Sequence, residues 1–363
     1  MTALHPCEMP AVLRAGTSNT SIRQCWRARR ALSAPTRTDH ESMRDGRRST
    51  DPATPVALHY KHYPPKCTVR DAVTTDSAAR STRALPPVVV LHGVLANANT
   101  YHSVLKRDDF AADRHLYALD LRNHGASPHA ADMSYGAMAR DVLAFMDARR
   151  VDRACLLGHS MGGKLAMRLA WEHAPRVSEL IVVDSAPVAY TNHDTEDGGW
   201  PAVEGNSPEG VILAMSDMDE AVYRSRAAVS EALRQRGVTN DSVRQFALTN
   251  LVPDEQHPGR YRWRVNVDAL RHAIRQLMGD AMLGGGGSHS DVADRAASRT
   301  FSGPTLFIRG AQSGYVRDAH LPLIRQLFPQ ATIVTVADAG HWLQSEKPDA
   351  FVAAVNRFLN RAP

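Results

Sequence analysis

The sequence predicts an α/β fold, a doubly wound and mostly parallel sheet with a helical cap inserted between two late strands. Three observations carry that prediction. Short, continuous runs of β-branched and apolar residues recur along the chain, as in VVVL and LIVV. Segments of helical periodicity separate them, and one long helical stretch interrupts the alternation before the last two strands. Strands buried on both faces read as unbroken apolar runs, and strand–helix alternation is the signature of parallel pairing.

The elements follow in order. VALHYKHY alternates and ends in Pro-Pro, which predicts an edge strand. A polar stretch then leads to PPVVVLHG, a buried strand ending in glycine, and HLYALD (115–120), ACLLGH (154–159), LIVVD (180–184), TLFIR (305–309) and TIVTV (332–336) repeat the type. Helical spacing covers 135–150, 161–173, 319–328 and 347–360. From about 188 to 302 no buried strand is evident, while EGVILAM and VDALRHAIRQLMGD are helical and GGGGSHS (284–290) reads as a flexible connection. The predicted organisation is a leader over 1–54, a core from 55–187 and 303–363, and a helical lid over 188–302. The lid would lie over the carboxyl edge of the sheet, where open α/β sheets place their sites.

Composition narrows the function. The 363 residues carry a net charge of +5, but residues 1–50 hold nine arginines against four acids, so the remainder is neutral. That balance argues against a nucleic-acid footprint on the folded body. No run approaches eighteen apolar residues, so no transmembrane segment is expected. The four cysteines (Cys7, Cys25, Cys67, Cys155) lack framework spacing and read as reduced thiols. The Arg-rich, Ser-rich, acid-poor start, with Ile22, Trp26 and Leu32 near one helical face, fits an organellar transit peptide, mitochondrial ahead of plastid. A plain disordered tail, with the protein left in the cytoplasm, is the alternative.

Gly158-His159-Ser160-Met161-Gly162 fits G-x-S-x-G between an apolar strand and a helix. A turn tight enough to expose the serine hydroxyl needs small neighbours, so the spacing points to Ser160 as a nucleophile. Gly158 to Lys164 also satisfies G-x-x-x-x-G-K, but Leu165 stands where a phosphate loop needs Ser or Thr for magnesium. Lys164 is therefore expected to be a solvated helix residue. The His92-Gly93 turn closing VVVLH, with the residue after the nucleophile, assigns an oxyanion hole to the N–H groups of Val94 and Met161. Gly340-His341-Trp342 follows the last strand, where the chain order Ser…Asp…His puts the general base, His341.

The acid has two candidate places. The loop after TLFIRG, where it commonly stands, reads Ala311-Gln312-Ser313-Gly314 and offers no carboxylate before Asp318. Asp184 ends the strand expected beside the nucleophile strand and can also reach the imidazole. A strand-end cap is the alternative role for Asp184. His59 and His62 on the first strand could suggest a metal pair, but strand-face residues near a sheet edge account for them, and no metal or organic cofactor is expected.

LHGVLANANTY, ALDLRNHGASP, MSYGAMARDVLAFMD, LLGHSMGGKLAM, IVVDSAPV, RWRVN and GHWLQSEKPDAF together resemble the alpha/beta-hydrolase domain-containing protein 11 family. That family includes bacterial thioesterase-like esterases and the mitochondrial ethanol acetyltransferases of yeasts. The resemblance covers most of 85–190 and 304–361. It implies an α/β-hydrolase fold with a helical cap, a small-molecule acyl ester or thioester substrate, and an acid taken from the strand after the nucleophile helix, which matches Asp184. Acyl transfer to an alcohol by the same residues is one rival reading. A binding protein on a hydrolase scaffold is the other.

Overall fold

A computed structural model describes residues 54–66, 85–190, 206–279 and 300–360. Residues 1–53 of the expected leader and the GGGGSHS stretch lie outside these residues. The described chain runs β1 (Tyr60–Tyr63), β2 (Val88–Leu91), β3 (Leu116–Leu119), α1 (Tyr135–Ala148), β4 (Ala154–His159), α2 (Met161–Glu172) and β5 (Val177–Val183). It continues through α3 (Pro208–Met215), α4 (Arg226–Gln235), α5 (Asp241–Leu248), β6 (Leu251–Pro253), β7 (Tyr261–Trp263) and α6 (Val267–Met278). It closes with β8 (Thr305–Gly310), α7 (Leu321–Leu327), β9 (Ala331–Val336) and α8 (Pro348–Leu359).

Seven strands form one sheet in the order β1-β3-β2-β4-β5-β8-β9. β1 pairs antiparallel with β3 at the edge, as VALHYKHY predicts, and the other neighbours are parallel. From β2 the chain steps outward to β3, then crosses back to β4 and proceeds in the other direction. The switch point therefore lies between β2 and β4, where ligands bind in open α/β sheets. Register aligns the carboxyl ends there, with Leu91 opposite Gly158, His159 opposite Val183, and Val183 opposite Ile308.

Alternate strand residues feed opposite layers. Val89, Leu91, Leu156, Leu180, Val182 and Phe307 pack towards α1 and α2 in one cluster. Val88, Val90, Cys155, Leu157, Ile181 and Ile308 meet Tyr101, Phe110 and Phe351 in the other. Cys155 is buried as a free thiol. α1 begins where the Ser134 hydroxyl accepts the Ala137 N–H at 3.2 Å.

The described residues between β5 and β8 hold the helices α3 to α6, with one addition. β6 and β7 form an antiparallel hairpin of three residues a side. Runs this short carry no strand periodicity, so the hairpin escapes a pattern search. No helix among the described residues is long and apolar enough to cross a membrane.

Candidate active site

The site begins with the backbone at Ser160. The residue sits between β4 and α2 at φ 54°, ψ −117°, outside the regions that L-residues prefer. Such a conformation costs about 1–3 kcal/mol and persists only where its surroundings enforce it. Here the Ser160 N–H donates to the Val183 carbonyl at 3.1 Å. The turn also needs its glycines. A Cβ on Gly158 would stand 2.1 Å from the Gly162 carbonyl oxygen, and one on Gly162 would stand 2.2 Å from that of Leu91.

The turn after β2 packs against the serine, since a Cβ on Gly93 would lie 3.3 Å from the Ser160 Cβ. Val94 and Met161, the two expected amide donors, thus flank Ser160. Met161 opens α2, so its N–H has no acceptor one turn back. Two buried histidines hold this turn. His92 Nε2 accepts the Leu121 N–H at 2.9 Å, so its Nδ1–H donates to the Gly93 carbonyl at 2.7 Å. His124 Nε2 accepts the Leu95 N–H at 3.1 Å, and its Nδ1–H donates to the Arg122 carbonyl at 3.0 Å. An acceptor nitrogen must be unprotonated, which fixes both tautomers. Burial holds both pKa values down, that of His124 at about 3. Leu95, at φ 61°, has its carbonyl held by the Asn250 side-chain amide at 2.7 Å, a tie from the inserted segment.

Asp184 and His341 meet. His341 Nδ1 is 2.7 Å from Asp184 Oδ2, and the carboxylate is fully buried. Asp184 follows β5 at φ 47°, its N–H donating to the Ile308 carbonyl at 2.7 Å. Its oxygens also accept the Gly310 N–H at 3.3 Å and the Ser313 hydroxyl. Asp318, the rival acid, is 83% exposed and pairs with Arg309 at 2.7 Å.

His159, the variable residue of the turn, is a partner that pattern reasoning missed. Its Nε2–H donates to the His341 carbonyl at 2.9 Å, and burial keeps it neutral. Tyr315 stacks on the His341 ring at 3.8 Å, 13° from parallel.

Ser160 and His341 line one cavity of about 180 Å³. Gly93, Val94 and Leu95 form one side, and Pro208, Val211, Val243 and Phe246 of the inserted segment form the other. No Lys, Arg, Asp or Glu is among the described residues that line it.

Lys164 corrects an expectation. It is buried, 2% exposed, with its ammonium against main-chain carbonyls rather than in solvent. The helical pattern of 161–173 places it on a face that distant segments cover. His59 is held by Asp120 at 2.7 Å, and His62 lies 2.8 Å from His115. No group of three or more metal-ligating side chains occurs among the described residues.

A sequence profile of the alpha/beta hydrolase fold matches residues 86–348. The chain belongs to the alpha/beta hydrolase fold family. Within that family it is similar to the sn-1-specific diacylglycerol lipase ABHD11 of Mus musculus, 36% identical over 278 residues that cover 76% of this chain and 81% of the relative. A probable alcohol acetyltransferase of Saccharomyces cerevisiae is 30% identical over 301 residues, covering 80% of this chain and 81% of the relative. Among solved structures, a marine microorganism esterase superposes with a TM-score of 0.64 at 29% identity, covering 84% of this chain and 99% of that one.

Proposed function

We propose that this protein is a serine hydrolase that cleaves carboxylic esters or acyl thioesters through an acyl-enzyme on Ser160. The observation that carries the reading is that Ser160, at its strained turn, and His341, paired with Asp184, line one cavity with no Lys, Arg, Asp or Glu among its described lining residues. His341 takes the Ser160 proton as the oxygen attacks the carbonyl, and the Asp184 carboxylate holds the imidazole tautomer and stabilises the imidazolium. The N–H groups of Val94 and Met161 receive the oxyanion. His341 then protonates the leaving group, and water releases the acid. A cavity whose described lining holds no Lys, Arg, Asp or Glu suits a neutral ester with an apolar acyl group. Hydrolysis of p-nitrophenyl esters by the purified chain, and its loss in Ser160→Ala, tests the reading.

The similarity to a probable alcohol acetyltransferase supports a second outcome, with an alcohol replacing water in the last step. Turnover of an activated ester with and without ethanol separates the two, since transfer yields the ethyl ester. Residues 188–302 would act as a lid over this cavity, and residues 1–54 as a mitochondrial transit peptide. The arginine excess of that segment supports the second assignment. A fluorescent fusion of residues 1–54 that stays diffuse in the cytosol would overturn it.

A further inference from the structure

Lys164 lies one helical turn beyond Ser160, its N–H donating to the Ser160 carbonyl at 3.0 Å. Its side chain runs to the place where the inserted segment leaves and rejoins the core. The ammonium donates to the Val188 carbonyl at 2.5 Å on the outgoing limb and to the Gly279 carbonyl at 2.5 Å on the returning limb, with the Met278 carbonyl at 3.4 Å. It also stands 4.3 Å from the centre of the Tyr190 ring. Gly279 caps α6, so the charge sits at the negative end of that helix's dipole, among carbonyls that have no partner within the helix. The two limbs touch directly as well, through the Tyr190 N–H and the Met278 carbonyl at 2.7 Å.

Burying an ammonium is costly, and an apolar side chain of similar volume would fill this space without that cost. The charge is therefore to be explained by what it holds. We propose that Lys164 is a positioning residue that pins the neck of the inserted segment to the nucleophile helix and so fixes the width of the acyl cavity. It touches no reacting atom. The far wall of that cavity is made by Val211, Val243 and Phe246, which belong to the segment that this neck, together with the Asn250–Leu95 tie, holds to the core, while the near wall belongs to the turn beside Ser160. An acetyl group occupies little beyond the near wall. A hexanoyl chain must lie against the far one. The inference rests on reading Ser160 as the nucleophile and this cavity as the acyl site.

The test compares the full-length protein with Lys164→Met and Lys164→Arg on p-nitrophenyl acetate and p-nitrophenyl hexanoate. Hydrogen exchange of residues 208–279 is followed in parallel. For Lys164→Met the expected result is a KM for hexanoate raised about tenfold, with kcat and all acetate kinetics within about threefold. Amides of α6 and its C-terminal turn should exchange faster, and Lys164→Arg, which keeps donors at this place, should recover much of the selectivity. Unchanged selectivity in a folded Lys164→Met, or an equal loss on both esters, overturns the proposal. Should Lys164→Met not fold, Lys164→Gln, whose amide can serve one carbonyl, must show an intermediate loss of selectivity, and none would count against the pin. If the wild-type protein cleaves neither ester, the reading of Ser160 fails separately. The exchange comparison then decides on the pin alone, and equal rates in wild type and variant overturn it.

Discussion

Ser313 donates its hydroxyl hydrogen to the same oxygen of Asp184 that faces His341 Nδ1. The loop after β8, which holds no carboxylate of its own before Asp318, supplies a donor to the carboxylate at the end of β5. The Gly310 N–H adds a second donor to the other oxygen. Donors of this kind fix the plane of the carboxylate. Ser313→Ala should leave the fold intact and lower kcat by roughly threefold to tenfold, because only part of the about 1.5–3 kcal/mol that a hydrogen bond to a charged group contributes is lost while the Gly310 N–H still holds the carboxylate. Steady-state kinetics with a matched thermal melt measures it, and an unchanged kcat would mean that Asp184 is held without Ser313.

The choice of acid is tested by exchange of charge for amide. Asp184→Asn should cost roughly 10³–10⁴ in kcat near neutral pH, by analogy with amide replacement of a triad acid. Asp318→Asn should cost less than about threefold, since exposed residues of this kind contribute little. A mild Asp184→Asn together with a crippled Asp318→Asn would move the acid to the later loop.

Neutral buried histidines tie the turn after β2 to pH. Burial first, and then the neighbouring His92, hold the His124 pKa at about 3, against an unfolded value of about 6.5. Above that value both states are neutral and His124 adds no pH dependence. Below it the unfolded chain takes up a proton that the folded chain refuses, so stability falls as pH falls, by up to about 1.4 kcal/mol per pH unit for each such histidine. His92 and His159 share the downward direction, again through burial. Urea unfolding between pH 6.5 and 5, where carboxylates remain ionised, should show this slope, and His124→Gln should make it shallower by one proton. A flat profile over that range would contradict the tautomers assigned to the turn.

What the sequence makes legible follows the range of the interaction. Runs such as VVVL and LIVV are buried on both faces and announce their strands, and G-x-S-x-G between a strand and a helix announces the turn at Ser160. Asp184 could be placed because parallel neighbours end at one edge. The contacts that set the site's details come from far along the chain and leave no local pattern. Lys164 meets carbonyls 24 and 115 residues away, and Asn250 reaches Leu95 across 155. His92, His124 and His159 look alike among seventeen histidines until their partners are known. The hairpin of β6 and β7 is too short for any period to show.

The central claim, that Ser160 is a nucleophile activated by His341, is tested most directly by its reaction with a fluorophosphonate, which phosphonylates an activated serine and spares ordinary hydroxyls. After labelling and trypsin digestion, the peptide spanning 154–164 should carry the adduct on Ser160, with ester hydrolysis lost in proportion. Ser160→Ala should take no label and lose on the order of 10⁴ or more in kcat, as related triads do. A folded wild-type protein that stays unlabelled at Ser160, or a Ser160→Ala variant that keeps most of its esterase activity, would contradict the assignment.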